Sequence, residues 1–395
     1  MLATPGHWRT SRQWHPAQGE SAMNLISTWW PARLAVGAVA LLACAAGASA
    51  AAERGDADNA WTFVSIPDFL NVDLDYPQPQ WEDALGYVLG NIKAEGPEFV
   101  LVAGDLVMGR WWKGPEQIEH LSAIYYPAWI KRMQAHGLKF YAAVGDHELG
   151  DNPWQGERLQ HVPHYEQAFV KYLKMPTNGP DHMKGLAYWF MHRGTLIVAV
   201  DVFEKEHMGA GMGTATVSGK QLEWLDRALA EHRDANHKIV MGHTPVLTPV
   251  RAEHSSRLTL QGGRDSDFWK TLSRHRVDLY LCGEVHAITC TPADGVWQVA
   301  HGSLFGYNTS ANYLVARVTP ERIRLELKEI QTVLEGGYVP QTTENHPREG
   351  VRITDDAKRG GFRTVGTITI DKAGAEPRCL EKTGAFAEEY DGRKK

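Results

Sequence analysis

The chain has 395 residues, and 43% of them are hydrophobic, which is enough to bury a large core. Its formal net charge is −6, so it lacks the excess of basic residues that is typical of nucleic-acid-binding proteins. Nucleic acid is therefore not an expected partner.

The first 50 residues are predicted to be a targeting segment rather than a folded domain. An apolar run over 34–46 is too short to span a bilayer comfortably, and small residues at 48–50 fit a cleavage site. Residues 1–22 do not fit this pattern, which makes Met23 an alternative start. We therefore expect export from a bacterial-type cytoplasm, to the periplasm or the medium. A sequence ending at Cys44 weakly resembles a lipoprotein cleavage box, so a lipid anchor on Cys44 is the alternative, and it would bring the only expected membrane contact.

Five short apolar runs predict strands that are buried on both faces of a sheet. The runs cover 61–66, 99–103, 140–144, 238–241 and 277–282. The residues that follow them, in order, are Asp68, Gly104-Asp105, Gly145-Asp146-His147-Glu148, Gly242-His243 and Gly283-Glu284-Val285-His286. Because sites in α/β proteins gather at the carboxyl ends of the strands, these side chains would lie along one rim.

The spacing of apolar residues predicts amphipathic helices between and after these strands. The predicted helices cover 81–94, 116–136, 165–173 and 218–232, and further strands are predicted at 187–191, 196–202, 297–300, 313–318, 323–327 and 364–370. We divide the chain into a targeting segment (1–50), an α/β domain (57–330) and a polar C-terminal extension with a little β-structure (331–395).

The order of the five acidic and histidine motifs resembles that of the calcineurin-like metallophosphoesterases, over about residues 61–305. The resemblance implies an αββα sandwich, in which two facing mixed β-sheets are flanked by helices. It also implies a site for two divalent cations on the rim, with Mn, Fe, Mg and Zn as candidates. Each motif alone has a simpler explanation, such as a turn carboxylate or a hydrogen-bonded core histidine.

The resemblance assigns a role to each of these side chains. Asp105 would bridge the two cations, with Asp68 and His286 completing the first metal site. The second site would contain Asp146, His243 and Glu284. His147 matches a histidine that contacts the phosphate and protonates the leaving oxygen, so Asp105 and His147 are the catalytic candidates.

The sequence departs from the family pattern at three of these positions. Leu70 replaces a histidine of the first motif, Asp146 replaces an asparagine of the third, and Glu284 replaces a histidine of the fifth. The second site thereby gains two anionic ligands, which favour Mn, Mg or Fe over Zn. Asn71 and Asp73 are candidate replacements for the missing histidine, and the alternative is a first site that is weak or absent.

Three further residues near the motifs could support the site. Arg110 could form a surface salt bridge or a bidentate contact with a phosphate. Glu148 and Asp151 are close enough in sequence to orient the imidazole of His147, and Glu148 fits a helix-start carboxylate equally well.

The predicted function is metal-dependent hydrolysis of a small-molecule phosphate ester outside the cytoplasm, through a metal-activated water. The motifs do not separate phosphate monoesters, diesters and pyrophosphates. The alternative is a metal- or ligand-binding module of the cell envelope whose hydrolytic site has decayed.

Overall fold

The computed structural model describes residues 60–69, 80–204, 215–253, 255–302, 310–334, 351–372 and 378–392. The predicted targeting segment with Met23 and Cys44, and the candidate ligands Asn71 and Asp73, lie outside these residues. No helix within the described ranges is both long enough and apolar enough to cross a membrane.

The described residues contain helices α1 (Trp81–Ala94), α2 (Pro115–Ala135), α3 (Glu157–Leu173), α4 (Gly219–Glu231), α5 (Asp267–Arg274) and α6 (Asp355–Gly360). The strands are β1 (Trp61–Ser65), β2 (Phe99–Val102), β3 (Phe140–Ala142), β4 (Tyr188–His192), β5 (Thr195–Ala199), β6 (His237–Met241), β7 (Leu279–Cys282), β8 (Thr289–Ala293), β9 (Val296–Ala300), β10 (Ser310–Val318), β11 (Arg322–Gln331), β12 (Val333–Leu334), β13 (Val351–Arg352), β14 (Arg363–Asp371) and β15 (Arg378–Gly384).

The first sheet has the strand order β15-β14-β11-β10-β1-β2-β3. Its strands β1, β2 and β3 are parallel, with Val64 opposite Val100 and Leu101 opposite Tyr141, whereas the other neighbours are antiparallel. All four residues of β2 are buried, as expected for a parallel strand that is covered on both faces. The parallel part of this sheet therefore has its carboxyl ends at one edge.

The second sheet has the strand order β4-β5-β6-β7-β9-β8. Strands β5, β6, β7 and β9 are parallel, and the two edge strands, β4 and β8, are antiparallel to their neighbours. Ile239 of β6 lies opposite Leu279 of β7, which brings the exits of these two strands side by side.

Contacts between side chains of β3 and β4 show that the two sheets face each other. The rings of Tyr141 and Phe190 stack with their centroids 3.9 Å apart. The hydroxyl of Tyr188 donates a hydrogen bond to the carbonyl oxygen of Ala142 at 2.9 Å. Two facing mixed sheets with flanking helices confirm the fold class that the family resemblance implied.

The prediction of individual elements was best where the apolar spacing was uninterrupted. Helix α1 has the predicted bounds, whereas α3 begins at Glu157, well before the predicted residue 165. The prediction missed the start of α3 because Pro163 lies inside the helix, and a proline normally argues against a helix interior. The short helix α5 and the edge strand β8 were not predicted. Strands β14 and β15 extend the first sheet with residues of the predicted C-terminal extension.

Candidate metal centre

Five strands of the two sheets deliver buried ligand-type side chains to one place. Asp68 follows β1, Asp105 follows β2, Asp146 follows β3, His243 follows β6 and Glu284 follows β7. Each of these side chains belongs to a residue that is at most 3% exposed. The first three come from one sheet and the last two from the other, so the group spans the junction between the sheets.

The imidazole of His243 lies at the centre of this group. Its Nε2 is 3.2 Å from Asp146 Oδ1, 3.4 Å from Asp105 Oδ1 and 3.5 Å from Glu284 Oε2. Its Nδ1 is 2.7 Å from the carbonyl oxygen of Ala103. A proton on Nδ1 that is donated to this carbonyl leaves Nε2 with a free lone pair, which is the usual arrangement of a metal-binding histidine.

Asp68 and His286 form a pair in the same centre. Nε2 of His286 is 3.5 Å from Asp68 Oδ1, and its Nδ1 is 3.1 Å from the carbonyl oxygen of Glu253. The backbone N–H of Glu284 donates a hydrogen bond to Asp68 Oδ1 at 3.0 Å. Asp68 is thereby held by the exit of β7, although it comes from β1.

Three sets of described residues have ligand atoms within 4.8 Å of one another. They are Asp68, Asp105 and His243; Asp105, Asp146 and His147; and Asp146, His243 and Glu284. Asp105, Asp146 and His243 each belong to two of the sets, so these three residues connect the neighbouring groups. His286 belongs to none of these sets, but it lies next to Asp68, which belongs to one of them.

His147 is oriented by a backbone carbonyl and not by a neighbouring carboxylate. Its Nδ1 is 2.7 Å from the carbonyl oxygen of Met108, and its Nε2 is 3.7 Å from Asp105 Oδ2. The carboxylate of Glu148 instead accepts hydrogen bonds from the backbone N–H groups of Asp105, Leu106 and Gly145 at 2.7–2.9 Å. The sequence left two interpretations of Glu148 open, and its contacts favour backbone binding over orientation of the imidazole, because its oxygens accept hydrogen bonds from the loop after β2.

Arg110 and Asp151 form an ion pair beside His147. Nε of Arg110 is 2.5 Å from Asp151 Oδ2, and 32% of the arginine side chain is exposed. The salt bridge that the sequence suggested for Arg110 is present, and a contact with phosphate remains a prediction.

The backbone at the strand exits adopts conformations that side chains other than glycine rarely take. The φ angles are 59° at Asp68, 62° at Asp105, 65° at Glu284 and 52° at His286. Such left-handed residues carry strain and concentrate at functional sites. Here these conformations occur in the turns that follow β1, β2 and β7, from which the side chains enter the centre.

Two glycines leave room for the ligand-type atoms. A Cβ atom on Gly145 would lie 2.2 Å from Asp105 Oδ1, and one on Gly104, where φ is 92°, would lie 2.5 Å from His243 Nδ1. The glycines that precede Asp105 and Asp146 are thus required by close packing across the centre.

The concentration of buried charge shifts the pKa values of the groups in the centre. Burial raises the pKa of Asp105 well above its usual value, against the opposing effect of His243. Burial and the neighbouring Asp146 raise the pKa of Glu284. Burial alone would lower the pKa of His243, but Asp105, Asp146 and Glu284 raise it well above its usual value.

Three buried atoms without hydrogen-bond partners indicate that these residues fit a metal ion. Asp68 Oδ2, Asp146 Oδ1 and His243 Nε2 are buried and have no hydrogen-bond partner. An unpaired buried polar atom is costly, and a coordinated cation would satisfy it. Because carboxylate oxygens and an imidazole nitrogen suit divalent cations such as Mn²⁺ and Fe²⁺, the residues present fit a metal site.

Sequence reasoning missed a fourth histidine close to this centre. His301 follows β9, with Nε2 2.9 Å from Ser65 Oγ and Nδ1 3.3 Å from Asn312 Oδ1. Burial lowers the pKa of His301 to about 4. Since both ring nitrogens face other side chains, we assign His301 to the support of β1 and not to a metal. Leu70, Asn71 and Asp73 lie outside the described residues.

Comparisons with known proteins agree with this architecture. A model of the family described as calcineurin-like phosphoesterase matches residues 78–287, just over half of the chain. A comparison with curated protein sequences found no match.

Several solved structures are similar to this chain at low sequence identity. A structure of PhoD is 11% identical with a TM-score of 0.52, covering 82% of this chain and 72% of PhoD. A dimetal phosphatase from Danio rerio is 15% identical with a TM-score of 0.48, covering 68% of this chain and 95% of the phosphatase. GAP50, the anchor in the inner membrane complex of Plasmodium, is 14% identical with a TM-score of 0.43, covering 75% of this chain and 90% of GAP50. At such identity the likeness to PhoD supports the fold alone. From the family match over residues 78–287, the chain belongs to the calcineurin-like phosphoesterase family.

Proposed function

We propose that the protein is a metal-dependent phosphoesterase that hydrolyses a small-molecule phosphate ester. The observation that carries the proposal is the convergence of buried carboxylates and imidazoles around three ligand-type atoms that lack hydrogen-bond partners. A purely structural ion-pair cluster would leave fewer such atoms unpaired, since buried polar groups normally find partners.

In this proposal Asp105, Asp68 and His286 would hold one divalent cation. Asp105 would also serve a second cation, together with Asp146, His243 and Glu284. The two anionic ligands of the second site favour Mn, Mg or Fe over Zn. Divalent cations at such a site neutralise the charge on phosphoryl oxygens and generate a nucleophile from water near neutral pH.

The side chains of this chain would supply the proton transfer and the orientation of the substrate. Because Nδ1 of His147 bonds to the carbonyl of Met108, its Nε2 is the atom that can donate a proton to the leaving oxygen. His147 is only partly buried, so a substrate can reach it. The guanidinium of Arg110, which is already oriented by Asp151, would contact a phosphoryl oxygen.

The Asp105→Asn variant tests the proposal most directly. It keeps the shape of the side chain but removes the charge that would bridge the cations, so hydrolysis should fall by several powers of ten. The assay uses chromogenic phosphate mono- and diesters with added Mn²⁺ on the purified protein, together with a metal analysis.

Two outcomes of this experiment would contradict the proposal. An unchanged rate of hydrolysis in Asp105→Asn would show that Asp105 does not bridge two cations. If wild-type protein bound at most one metal and turned over neither ester, a binding module of the cell envelope would be the better explanation.

We propose in addition that the mature protein acts outside the cytoplasm, on the basis of the apolar run over 34–46 and the small residues at 48–50. Cell fractionation followed by N-terminal sequencing tests this. A mature chain that begins near Ala51 supports export, and a membrane-bound form that begins at Cys44 supports the lipid anchor. An unprocessed cytoplasmic chain would contradict both.

A further inference from the structure

The two carboxylates of the proposed second metal site each direct one oxygen towards His243 and the other away from it. The inner oxygens, Asp146 Oδ1 and Glu284 Oε2, lie 3.2 Å and 3.5 Å from His243 Nε2. The outer oxygens are Asp146 Oδ2 and Glu284 Oε1.

Two polar side chains bond to the outer oxygens. Nδ2 of Asn152 donates a hydrogen bond to Asp146 Oδ2 at 2.7 Å. The hydroxyl of Ser256 donates to Glu284 Oε1 at 2.9 Å, and the backbone N–H of Leu258 donates to the same oxygen at 3.0 Å. Asp146 Oδ1, an inner oxygen, has no hydrogen-bond partner.

Asn152 and Ser256 are also bonded to each other. Nδ2 of Asn152 donates to Ser256 Oγ at 3.0 Å, although the two residues are 104 positions apart in the chain. One amide group has two N–H donors, and one hydroxyl can accept and donate at once, so this chain of three hydrogen bonds satisfies the donors of both side chains. It connects the two carboxylates through their outer oxygens. We call it the Asn152–Ser256 bridge.

We propose that Asn152 and Ser256 are positioning residues, which make Asp146 and Glu284 bind a divalent cation through one oxygen each. A carboxylate can offer either or both of its oxygens to a metal, and a hydrogen bond on the outer oxygen fixes its orientation. Asparagine and histidine, the family's ligand types at these two positions, have no second equivalent oxygen to control. The bridge therefore supports the two anionic ligands that distinguish this chain. The inference rests on the proposed metal site and deepens it.

The test is a calorimetric titration of metal-depleted full-length protein with MnCl₂. The Ser256→Ala variant breaks the bridge at its exposed end, and we expect one of the two binding events to weaken about 10- to 100-fold. Ser256→Thr retains the hydroxyl and should restore the affinity to within about threefold of wild type. Ser255→Ala is the matched control, since Ser255 Oγ accepts a hydrogen bond from the backbone of Arg257 in the same loop at 3.0 Å.

The outcomes separate this inference from the proposed function. If wild-type protein binds no Mn²⁺, the proposed metal site itself is contradicted. If wild type binds Mn²⁺ and Ser256→Ala binds it equally well, or if Ser255→Ala loses as much affinity as Ser256→Ala, only the positioning role is overturned.

A double-mutant cycle tests whether the bridge acts as one unit. Each single variant, Asn152→Ala or Ser256→Ala, should lower the Mn²⁺ affinity by some factor. If the bridge acts as one unit, the factor for the double variant is smaller than the product of the two single factors. Fully independent losses would contradict a connected bridge.

Discussion

At the scale of single residues, His301 shows how burial shifts the pKa of a histidine that we assign to the support of β1. It is fully buried between Ser65 and Asn312, and burial lowers its pKa to about 4. A neutral imidazole is therefore part of the folded state at pH values where an unfolded chain would carry a proton on it, with a pKa of about 6.5.

The stability of the protein should depend on this histidine between pH 6.5 and pH 4. Below about pH 6.5 His301 binds a proton in the unfolded chain but stays neutral in the folded protein. The free energy of unfolding therefore falls as pH falls, by at most about 3 kcal/mol. His301→Gln removes this contribution. The difference in unfolding free energy between wild type and His301→Gln should shrink or reverse as pH is lowered from 7.5 to 4.5.

Urea titrations in the presence of a chelator, at several pH values, measure this difference. His120→Gln, which replaces an exposed histidine on α2, is the control and should follow the wild-type curve. A difference between wild type and His301→Gln that is independent of pH would contradict the assignment.

At the scale of elements, glycines at the strand exits allow ligand-type side chains from different strands to approach each other closely. Gly145 follows the end of β3 and faces the carboxylate of Asp105 at the end of β2. Glu148 accepts backbone hydrogen bonds from both exits, so β2 and β3 are connected at this end through one carboxylate. The geometry of the centre is thus a property of adjacent exits and not of one loop.

Gly145→Ala should displace the carboxylate of Asp105 in the centre. The new methyl group would meet Asp105 Oδ1 at 2.2 Å and the Asp105 backbone nitrogen at 2.6 Å, so Asp105 must shift. We expect a loss of about 1–3 kcal/mol in the free energy of unfolding, as for other overpacked sites, together with loss of esterase activity. Denaturant unfolding and the chromogenic assay measure the two effects.

Gly90→Ala is the matched control for this substitution. Gly90 lies on the exposed side of α1, and a Cβ atom there would meet nothing within 4 Å. Because alanine is the better helix former, this variant should be about 0.5–1 kcal/mol more stable than wild type, with unchanged activity. Equal behaviour of the two variants would disprove the steric argument.

At the scale of the whole molecule, the centre joins the two sheets. Asp68, Asp105 and Asp146 come from the first sheet, and His243 and Glu284 come from the second. A cation bound between them would bind the folded state and not the unfolded chain, so it would stabilise the sandwich as a whole.

Metal removal should therefore lower the thermal stability. With Mn²⁺ at 100 times its dissociation constant, the free energy of unfolding should rise by about 2.7 kcal/mol for each occupied site. Thermal melts in chelator and in Mn²⁺ measure this rise, and Asp105→Asn should show a smaller one. Equal melting temperatures in chelator and in Mn²⁺ for wild type would argue against a metal site that joins the sheets.

The sequence by itself determined the features that depend on local pattern. Helix α1 and the central strands were predictable because their apolar spacing is a property of neighbouring residues. The candidate ligands Asp105, Asp146 and His243 were also visible, since each lies two to four residues after the end of a parallel strand and such exits share one edge of a sheet.

Only the tertiary structure decided which groups hold these side chains in place. The carbonyl of Met108 bonds to His147, Ser65 bonds to His301, and Asn152 bonds to Ser256, over separations of 39, 236 and 104 positions. Such contacts have no periodicity or spacing in the chain, because a hydrogen bond depends on distance in space and leaves no regular pattern in the order of residues.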